Sequence, residues 1–178
     1  MTFMERRPVD AGGLPLPWYT YPAIDVIGSR LIAEMRVFEW GAGYSTLWYA
    51  ARVREVVACE HNSEWARSLR GKLPGHCTLV EQPNRAEYVS EIARHGGNFD
   101  IIVIDGLHRN ECAEMALPAL GEGGVIIWDN SDLSESEAGL ALLVRRGFKR
   151  LDLAGMGPIN VYAWTTSILY RERNCFGI

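Results

Sequence analysis

The sequence predicts an α/β fold in which a doubly wound, mostly parallel sheet of seven strands ends in an antiparallel hairpin. Five short apolar runs alternate with helix-like stretches, a pattern typical of parallel sheets covered by helices on both faces. Two β-rich segments close the chain with no helix between them. We expect one domain, 1–178, with an aromatic segment and helix in 1–34 and the sheet core in 35–170.

Each predicted element has a local reason. The five parallel strands are apolar runs that end in a polar or glycine residue: 35–39, 55–60, 77–82, 99–105 and 124–129. The predicted helices are amphipathic or follow a capping residue: 23–34, 45–52, 63–72, 110–117, and one stretch each after Asn84 and Ser134. The segments 148–153 and 161–170, joined by a glycine-rich turn at 155–158, form the hairpin.

The composition favours some partners over others. A net charge of −4 provides no broad positive field, so nucleic acid is a disfavoured partner. The N-terminal ten residues lead into no long apolar run, so we expect neither a signal peptide nor a membrane span. The four cysteines form no C-x-x-C pair, which favours reduced thiols and a cytoplasmic protein. A homo-oligomer is left open.

A glycine turn follows the first predicted strand, in Glu39-Trp40-Gly41-Ala42-Gly43. Glycines at a strand end let a ligand approach the backbone. Glu60 ends the next strand, 19 residues after Gly41, near the offset at which an acidic residue accepts hydrogen bonds from ribose hydroxyls. Thr46 stands where a dinucleotide fingerprint has its third glycine, and Glu39 would repel a diphosphate. These residues predict a site for a cationic nucleoside.

The stretches 37–48, 99–106 and 123–130 resemble the first motif and the fourth and fifth strands of class I S-adenosylmethionine-dependent methyltransferases, which have a Rossmann-like fold. With the closing hairpin, the resemblance extends over about 35–170. It implies that Glu39, Gly41 and Gly43 face the methionine part of S-adenosylmethionine and that Glu60 holds the ribose. It also implies that Asn84 contacts the adenine edge; capping of the following helix is the alternative for Asn84.

Three polar residues at neighbouring strand ends match the metal ligands of catechol-type O-methyltransferases: Asp105, Asp129 and Asn130. The resemblance implies a site for Mg²⁺ or another divalent cation that would align an acceptor hydroxyl. His108 stands where that type has a lysine, so His108 and Asp105 are the candidate catalytic residues. In the alternative interpretations, Asp105 caps a helix or contacts the cofactor, Asp129 and Asn130 form a polar turn, and His108 is a solvated residue.

The resemblance implies an S-adenosylmethionine-dependent methyltransferase that acts on an oxygen or nitrogen of a small-molecule acceptor. An NAD-dependent oxidoreductase and a non-catalytic S-adenosylmethionine-binding module are the two alternatives, because a fold alone does not establish chemistry. Trp18, Tyr19 and Tyr21 either line the acceptor pocket or pack on the core. The pattern of residues identifies no acceptor.

Overall fold

The computed structural model describes residues 7–178 and contains one seven-stranded sheet. In chain order the strands are β1 (Arg36–Trp40), β2 (Glu55–Glu60), β3 (Cys77–Glu81), β4 (Phe99–Ile104), β5 (Leu120–Trp128), β6 (Lys149–Gly155) and β7 (Trp164–Tyr170). The α-helices are α1 (Tyr21–Gly28), α2 (Tyr44–Ala50), α3 (Ser63–Arg70), α4 (Arg85–Ser90), α5 (Arg109–Ala119) and α6 (Glu137–Arg145). Short 3₁₀ helices follow α4 at Glu91–His95 and precede α6 at Ser134–Ser136.

The strand order is β3-β2-β1-β4-β5-β7-β6. The five strands from β3 to β5 are parallel, and β7 lies antiparallel between β5 and β6. The order reverses between β1 and β4, the point at which open α/β sheets bind ligands. The predicted fold class, a mostly parallel sheet closed by an antiparallel hairpin, is confirmed.

The two faces of the sheet are both buried, because alternate residues of the same strand belong to different apolar clusters. On β1, Phe38 and Trp40 pack in one cluster and Val37 packs in the other. On β4, Ile102 belongs to the first cluster and Ile101 to the second. This is the arrangement that the uninterrupted apolar runs predict.

Three predicted boundaries are wrong by three residues or more. The helix predicted over 23–34 is α1, which ends at Gly28; the hydroxyl of Ser29 and the guanidinium of Arg30 donate to the carbonyl oxygen of Val26 there. Strand β7 begins at Trp164 rather than 161, and strand β5 begins at Leu120 rather than 124. A Cβ at Gly124 would lie 2.8 Å from the carbonyl oxygen of Phe99, which explains why glycine is needed.

All four cysteines are unpaired. Among residues 7–178, none of the helices has the length and apolar character needed to cross a lipid bilayer.

Candidate active site

A cleft of about 480 Å³ opens at the carboxyl ends of β1, β2, β4 and β5. This volume lies within the usual range for small-molecule sites. One half is built by the glycine turn after β1, the end of β2 and the loop after β4: Gly41, Ala42, Gly43, Tyr44, Ser45, Glu60, His61, Trp65, Asp105, Gly106 and Leu107. The other half comes from the N-terminal segment, the start of α5, the end of β5 and the region before β7: Pro8, Trp18, Arg109, Asp129, Asn130, Asn160, Tyr162 and Trp164.

Gly41 has a backbone that only glycine adopts readily, with φ +96°. A Cβ there would lie 2.8 Å from the carbonyl oxygen of Asp105, so the turn after β1 and the loop after β4 touch backbone to backbone. Gly106 completes the contact, since its own Cβ would lie 3.0 Å from the nitrogen of Gly41. Gly41 is therefore needed for packing between two loops, in addition to any approach by a ligand.

Gly43 differs, because a Cβ there would meet nothing closer than 4.0 Å. Its N–H donates to Thr46 Oγ1 (2.9 Å), and the Thr46 hydroxyl donates to Glu39 Oε2 (2.5 Å). Thr46 thus ties the glycine turn to a carboxylate beneath it. The second oxygen of Glu39, Oε1, is buried without a hydrogen-bond partner among the described residues. Burial raises the pKa of Glu39 to about 7.

Glu60 is buried at the end of β2, with one oxygen occupied by the chain. Its Oε1 accepts a hydrogen bond from the Asn62 N–H (2.7 Å) and lies 3.0 Å from His61 Nδ1. The carboxylate lines the cleft beside the glycine turn. These contacts fix the orientation of the side chain, and its position suits recognition of hydroxyl donors.

Asp129 is 3 % exposed and is held by the hairpin. Its Oδ1 accepts hydrogen bonds from the Thr166 hydroxyl (2.5 Å) and from Trp164 Nε1 (3.0 Å). The Thr166 hydroxyl in turn accepts a hydrogen bond from the Thr20 N–H (3.2 Å), which connects the N-terminal segment to β7. Burial raises the pKa of Asp129, and burial followed by the charge of Asp129 raises the pKa of Asp105.

Arg109 lies among the oxygens of these strand ends. Its Nε donates to the carbonyl oxygen of Gly106 (2.9 Å), Nη1 donates to the backbone oxygen of Asp129, and Nη2 donates to Asn130 Oδ1 (3.3 Å). Nη2 also lies 3.6 Å from Asp105 Oδ1. The guanidinium therefore contacts all three strand-end residues and offsets part of their negative charge.

A family model described as a methyltransferase domain matches residues 38–131, which is more than half of the chain. The chain belongs to this methyltransferase family. The matched residues run from β1 to just past β5, so they include the glycine turn, Glu60 and Asp129. No curated protein matches the chain.

Solved structures share the fold of this methyltransferase domain at low sequence identity. Precorrin-6y C5,15-methyltransferase from Geobacter metallireducens is 14 % identical, with a TM-score of 0.65 over 96 % of each chain. Precorrin 8W decarboxylase from Methanobacterium thermoautotrophicum is 21 % identical, with a TM-score of 0.62 over 94 % of this chain and 97 % of that one. A Streptococcus mutans protein in complex with SAH is 12 % identical, with a TM-score of 0.59 over 82 % and 93 %. The family model and this shared fold together confirm the predicted membership of the class I methyltransferases.

Five of the six residues predicted to bind the cofactor are at or directly beneath the cleft of the methyltransferase domain. Gly41, Gly43, Glu60 and Asp105 line it, and Glu39 lies under the turn. Their roles toward a ligand remain predictions.

Asn84 is outside the cleft. Its side-chain oxygen caps α4 by accepting hydrogen bonds from the N–H groups of Ala86 and Glu87 (2.9 and 3.3 Å). The geometry supports the capping alternative and gives the adenine contact no support.

The structure places His108 outside the cleft and gives its predicted catalytic role no support. His108 is the residue before α5, in a left-handed conformation with φ 54°, and it does not line the cleft. Its ring packs edge-on against Tyr88, with 6.3 Å between the ring centroids. Leu107 and Arg109, the residues on either side of His108, both line the cleft.

The metal site predicted from Asp105, Asp129 and Asn130 is also not supported. The side-chain oxygens of Asp105 and Asn130 face a guanidinium, and one oxygen of Asp129 accepts two hydrogen bonds from β7. No cluster of three His, Cys, Asp or Glu side chains suited to a metal occurs within 7–178. The guanidinium of Arg109 thus contacts the side-chain oxygens of two of the three suggested ligands.

Sequence reasoning missed Arg109, Tyr162 and Trp164, which line this half of the cleft, and Thr166, which donates to Asp129 behind it. A helix-start arginine and β-rich residues of a hairpin have ordinary structural roles, so no local pattern singles them out. The two alternatives for the N-terminal aromatics both hold in part. Trp18 lines the cleft, Tyr19 is fully buried in the core, and Tyr21 is 48 % exposed.

Proposed function

We propose that this methyltransferase domain transfers a methyl group from S-adenosylmethionine to an oxygen or nitrogen of a small-molecule acceptor. One observation carries the proposal: the glycine turn and Glu60 share one cleft with Asp105 and Asp129. When bound, S-adenosylmethionine would supply a methyl group bonded to a positively charged sulfur. The acceptor's lone pair would form a bond to the methyl carbon, and the electron pair of the carbon–sulfur bond would return to sulfur. The chain's contribution is to hold both partners in the required orientation.

The residues of the first half of the cleft fit S-adenosylmethionine. The unpartnered Oε1 of Glu39 is costly while buried, and a cationic donor from the ligand would relieve that cost. The open space at Gly43 leaves room for a ligand against the turn. Glu60 would accept hydrogen bonds from the ribose hydroxyls with the oxygen that Asn62 leaves free.

The charge of the cleft supports a small acceptor over nucleic acid. Among the described residues, three carboxylates line the cleft, those of Glu60, Asp105 and Asp129, against the one guanidinium of Arg109. Such a surface repels a phosphate backbone. The cleft is also of the size that small ligands occupy.

Isothermal titration calorimetry against S-adenosylmethionine, S-adenosylhomocysteine and NAD tests the proposal. We expect the first two to bind with one-to-one stoichiometry and NAD to give no heat. Glu60→Ala should weaken binding about 10- to 100-fold, because a hydrogen bond to a charged group contributes roughly 1.5–3 kcal/mol. Glu81→Ala is the matched control, since Glu81 is the neighbouring residue of β3, ion-paired with Arg70 and outside the cleft.

Two results would replace the proposal with one of its alternatives. Binding of NAD without binding of S-adenosylmethionine would favour an oxidoreductase. Tight binding of S-adenosylmethionine, with no methyl group transferred to any hydroxyl or amine in an acceptor screen, would favour a non-catalytic module.

A further inference from the structure

The second half of the cleft has aromatic walls that the fold leaves exposed. Trp18 is 47 % exposed and Tyr162 is 61 % exposed, although both are large apolar side chains. Trp164 stands beside Tyr162, with ring centroids 6.0 Å apart and planes tilted by 59°. Exposed aromatic rings that converge on a cleft indicate a binding surface for an apolar, planar group.

A buried carboxylate lies next to these rings. Trp164 is both a wall of the cleft and a donor to Asp129 Oδ1, and Thr166 donates to the same oxygen. Both of these side-chain hydrogen bonds go to Oδ1, and Asp129 as a whole is 97 % buried and lines the cleft. A carboxylate in this position favours a ligand that brings its own donor.

The charges and rings around Asp129 favour a ligand whose hydrogen-bond donor is positively charged. Arg109 is the Arg or Lys among the described residues that line the cleft, and each of its three side-chain nitrogens contacts a protein oxygen. It therefore has little capacity to bind an acidic acceptor. The faces of Trp18, Tyr162 and Trp164 carry negative π-electron density, which attracts cations.

We propose that this half of the cleft binds an acceptor with a planar aromatic ring and a protonated amine, the ring between Trp18 and Tyr162 and the amine at Asp129 Oδ2. The inference rests on the proposed function, because it names the acceptor class of the same site. The protonated amine anchors the acceptor and has no lone pair, so the methyl group goes to another oxygen or nitrogen of the same molecule, which loses its proton to solvent. Thr166 and Trp164 act as positioning residues that keep Oδ1 occupied and direct Oδ2 to the amine.

Three probes that share an aromatic ring but differ in charge test the proposal: tryptamine, indole and indole-3-propionate. Binding to the full chain saturated with S-adenosylhomocysteine is measured by calorimetry and by saturation-transfer NMR. We expect tryptamine to bind at least tenfold more tightly than indole-3-propionate. Equal affinity for the cation and the anion, or preference for the anion, would overturn the proposal.

Two variants test whether the preference for tryptamine arises at Asp129 and Tyr162. Asp129→Asn should abolish the preference for tryptamine, whereas Asp132→Asn, in the same loop but outside the cleft, should keep it. Tyr162→Ala, an exposed position that folding should tolerate, should weaken tryptamine about fivefold. Tryptamine affinity that is unchanged in both Asp129→Asn and Tyr162→Ala would place the amine elsewhere and refute the site.

The two proposals fail in different ways. If S-adenosylhomocysteine binds and the three probes bind alike, the acceptor class is wrong and the proposed function stands. If neither S-adenosylmethionine nor S-adenosylhomocysteine binds in calorimetry, the proposed function itself is wrong.

Discussion

Arg109 Nη2 lies 3.6 Å from Asp105 Oδ1, at the centre of the strand-end residues that would otherwise suit a divalent cation. The same guanidinium donates to Asn130 Oδ1 and to the backbone of Asp129. Two of the three side chains that a divalent cation would need, those of Asp105 and Asn130, therefore already face a guanidinium. This contact has a direct experimental consequence.

We predict that the domain binds no divalent cation at these strand ends. Neither a chelator nor millimolar Mg²⁺ should change its melting temperature or its affinity for S-adenosylhomocysteine, as measured by thermal denaturation and calorimetry. Arg109→Ala is the comparison variant, because it removes the guanidinium that these oxygen atoms contact. A Mg²⁺-dependent rise in melting temperature that Asp129→Asn removes would restore the metal site.

A second prediction concerns Glu39, whose pKa burial raises to about 7 from an ordinary value of 4.5. Between pH 4.5 and 7 the folded protein keeps a proton that the unfolded chain releases, so stability falls as the pH rises through this window. The loss is roughly 3 kcal/mol at most, at about 1.4 kcal/mol per pKa unit. Glu39→Gln should flatten this part of the profile in urea unfolding measured from pH 4.5 to 7.5.

Wild type and Glu39→Gln must be compared at each pH, because the raised pKa values of Asp105 and Asp129 act in the same direction. The difference between the two proteins isolates Glu39. Parallel profiles for the two proteins would show that Glu39 stays ionised in the folded protein.

A third prediction separates two costs of a side chain at Gly41. Gly41→Ala adds a Cβ 2.8 Å from the carbonyl oxygen of Asp105 and forces alanine to φ +96°. Gly147→Ala has a similar φ of +86° with open space around the Cβ. We expect Gly147→Ala to lower the free energy of unfolding by about 1 kcal/mol, because of the strained backbone alone. Gly41→Ala should lower it by at least ~2 kcal/mol in total, as measured by urea unfolding. Equal losses of unfolding free energy in Gly41→Ala and Gly147→Ala would show that the turn after β1 and the loop after β4 separate easily.

A fourth prediction concerns Gly43, where the protein itself leaves room for a side chain. Gly43→Val should reduce affinity for S-adenosylhomocysteine at least tenfold in calorimetry, because the added methyl groups would enter the cleft. The melting temperature should change little more than in Gly75→Val, a control at an open position away from the cleft. Unchanged affinity in Gly43→Val would show that the ligand does not lie against the glycine turn.

The sheet could be predicted because burial on both faces appears directly as uninterrupted apolar runs, as on β4. The first half of the cleft could also be predicted, since Gly41, Gly43 and Glu60 follow strand ends that meet at one edge. The second half depends on side chains from distant segments. Whether His108 or Arg109 enters the cleft depends on a single left-handed residue, and the sequence gives no sign of it.

The hydrogen-bond partners of Asp129 also could not be predicted from the sequence. Its position at a strand end could be predicted, whereas its hydrogen bonds to Trp164 and Thr166 depend on how the hairpin folds back beside β5. The sequence correctly indicated that Asp129 lies at the site and wrongly suggested a metal as its partner.

The hydrogen bond from the Thr20 amide to the Thr166 hydroxyl joins residues 146 positions apart. During translation, β1, its glycine turn and β2 leave the ribosome well before β7 has been made. The first half of the cleft also needs β4 and the loop that follows it, because Gly41 packs against Asp105 and Gly106. The second half is complete only once β7, the last strand of the sheet, has been made and has joined the N-terminal segment.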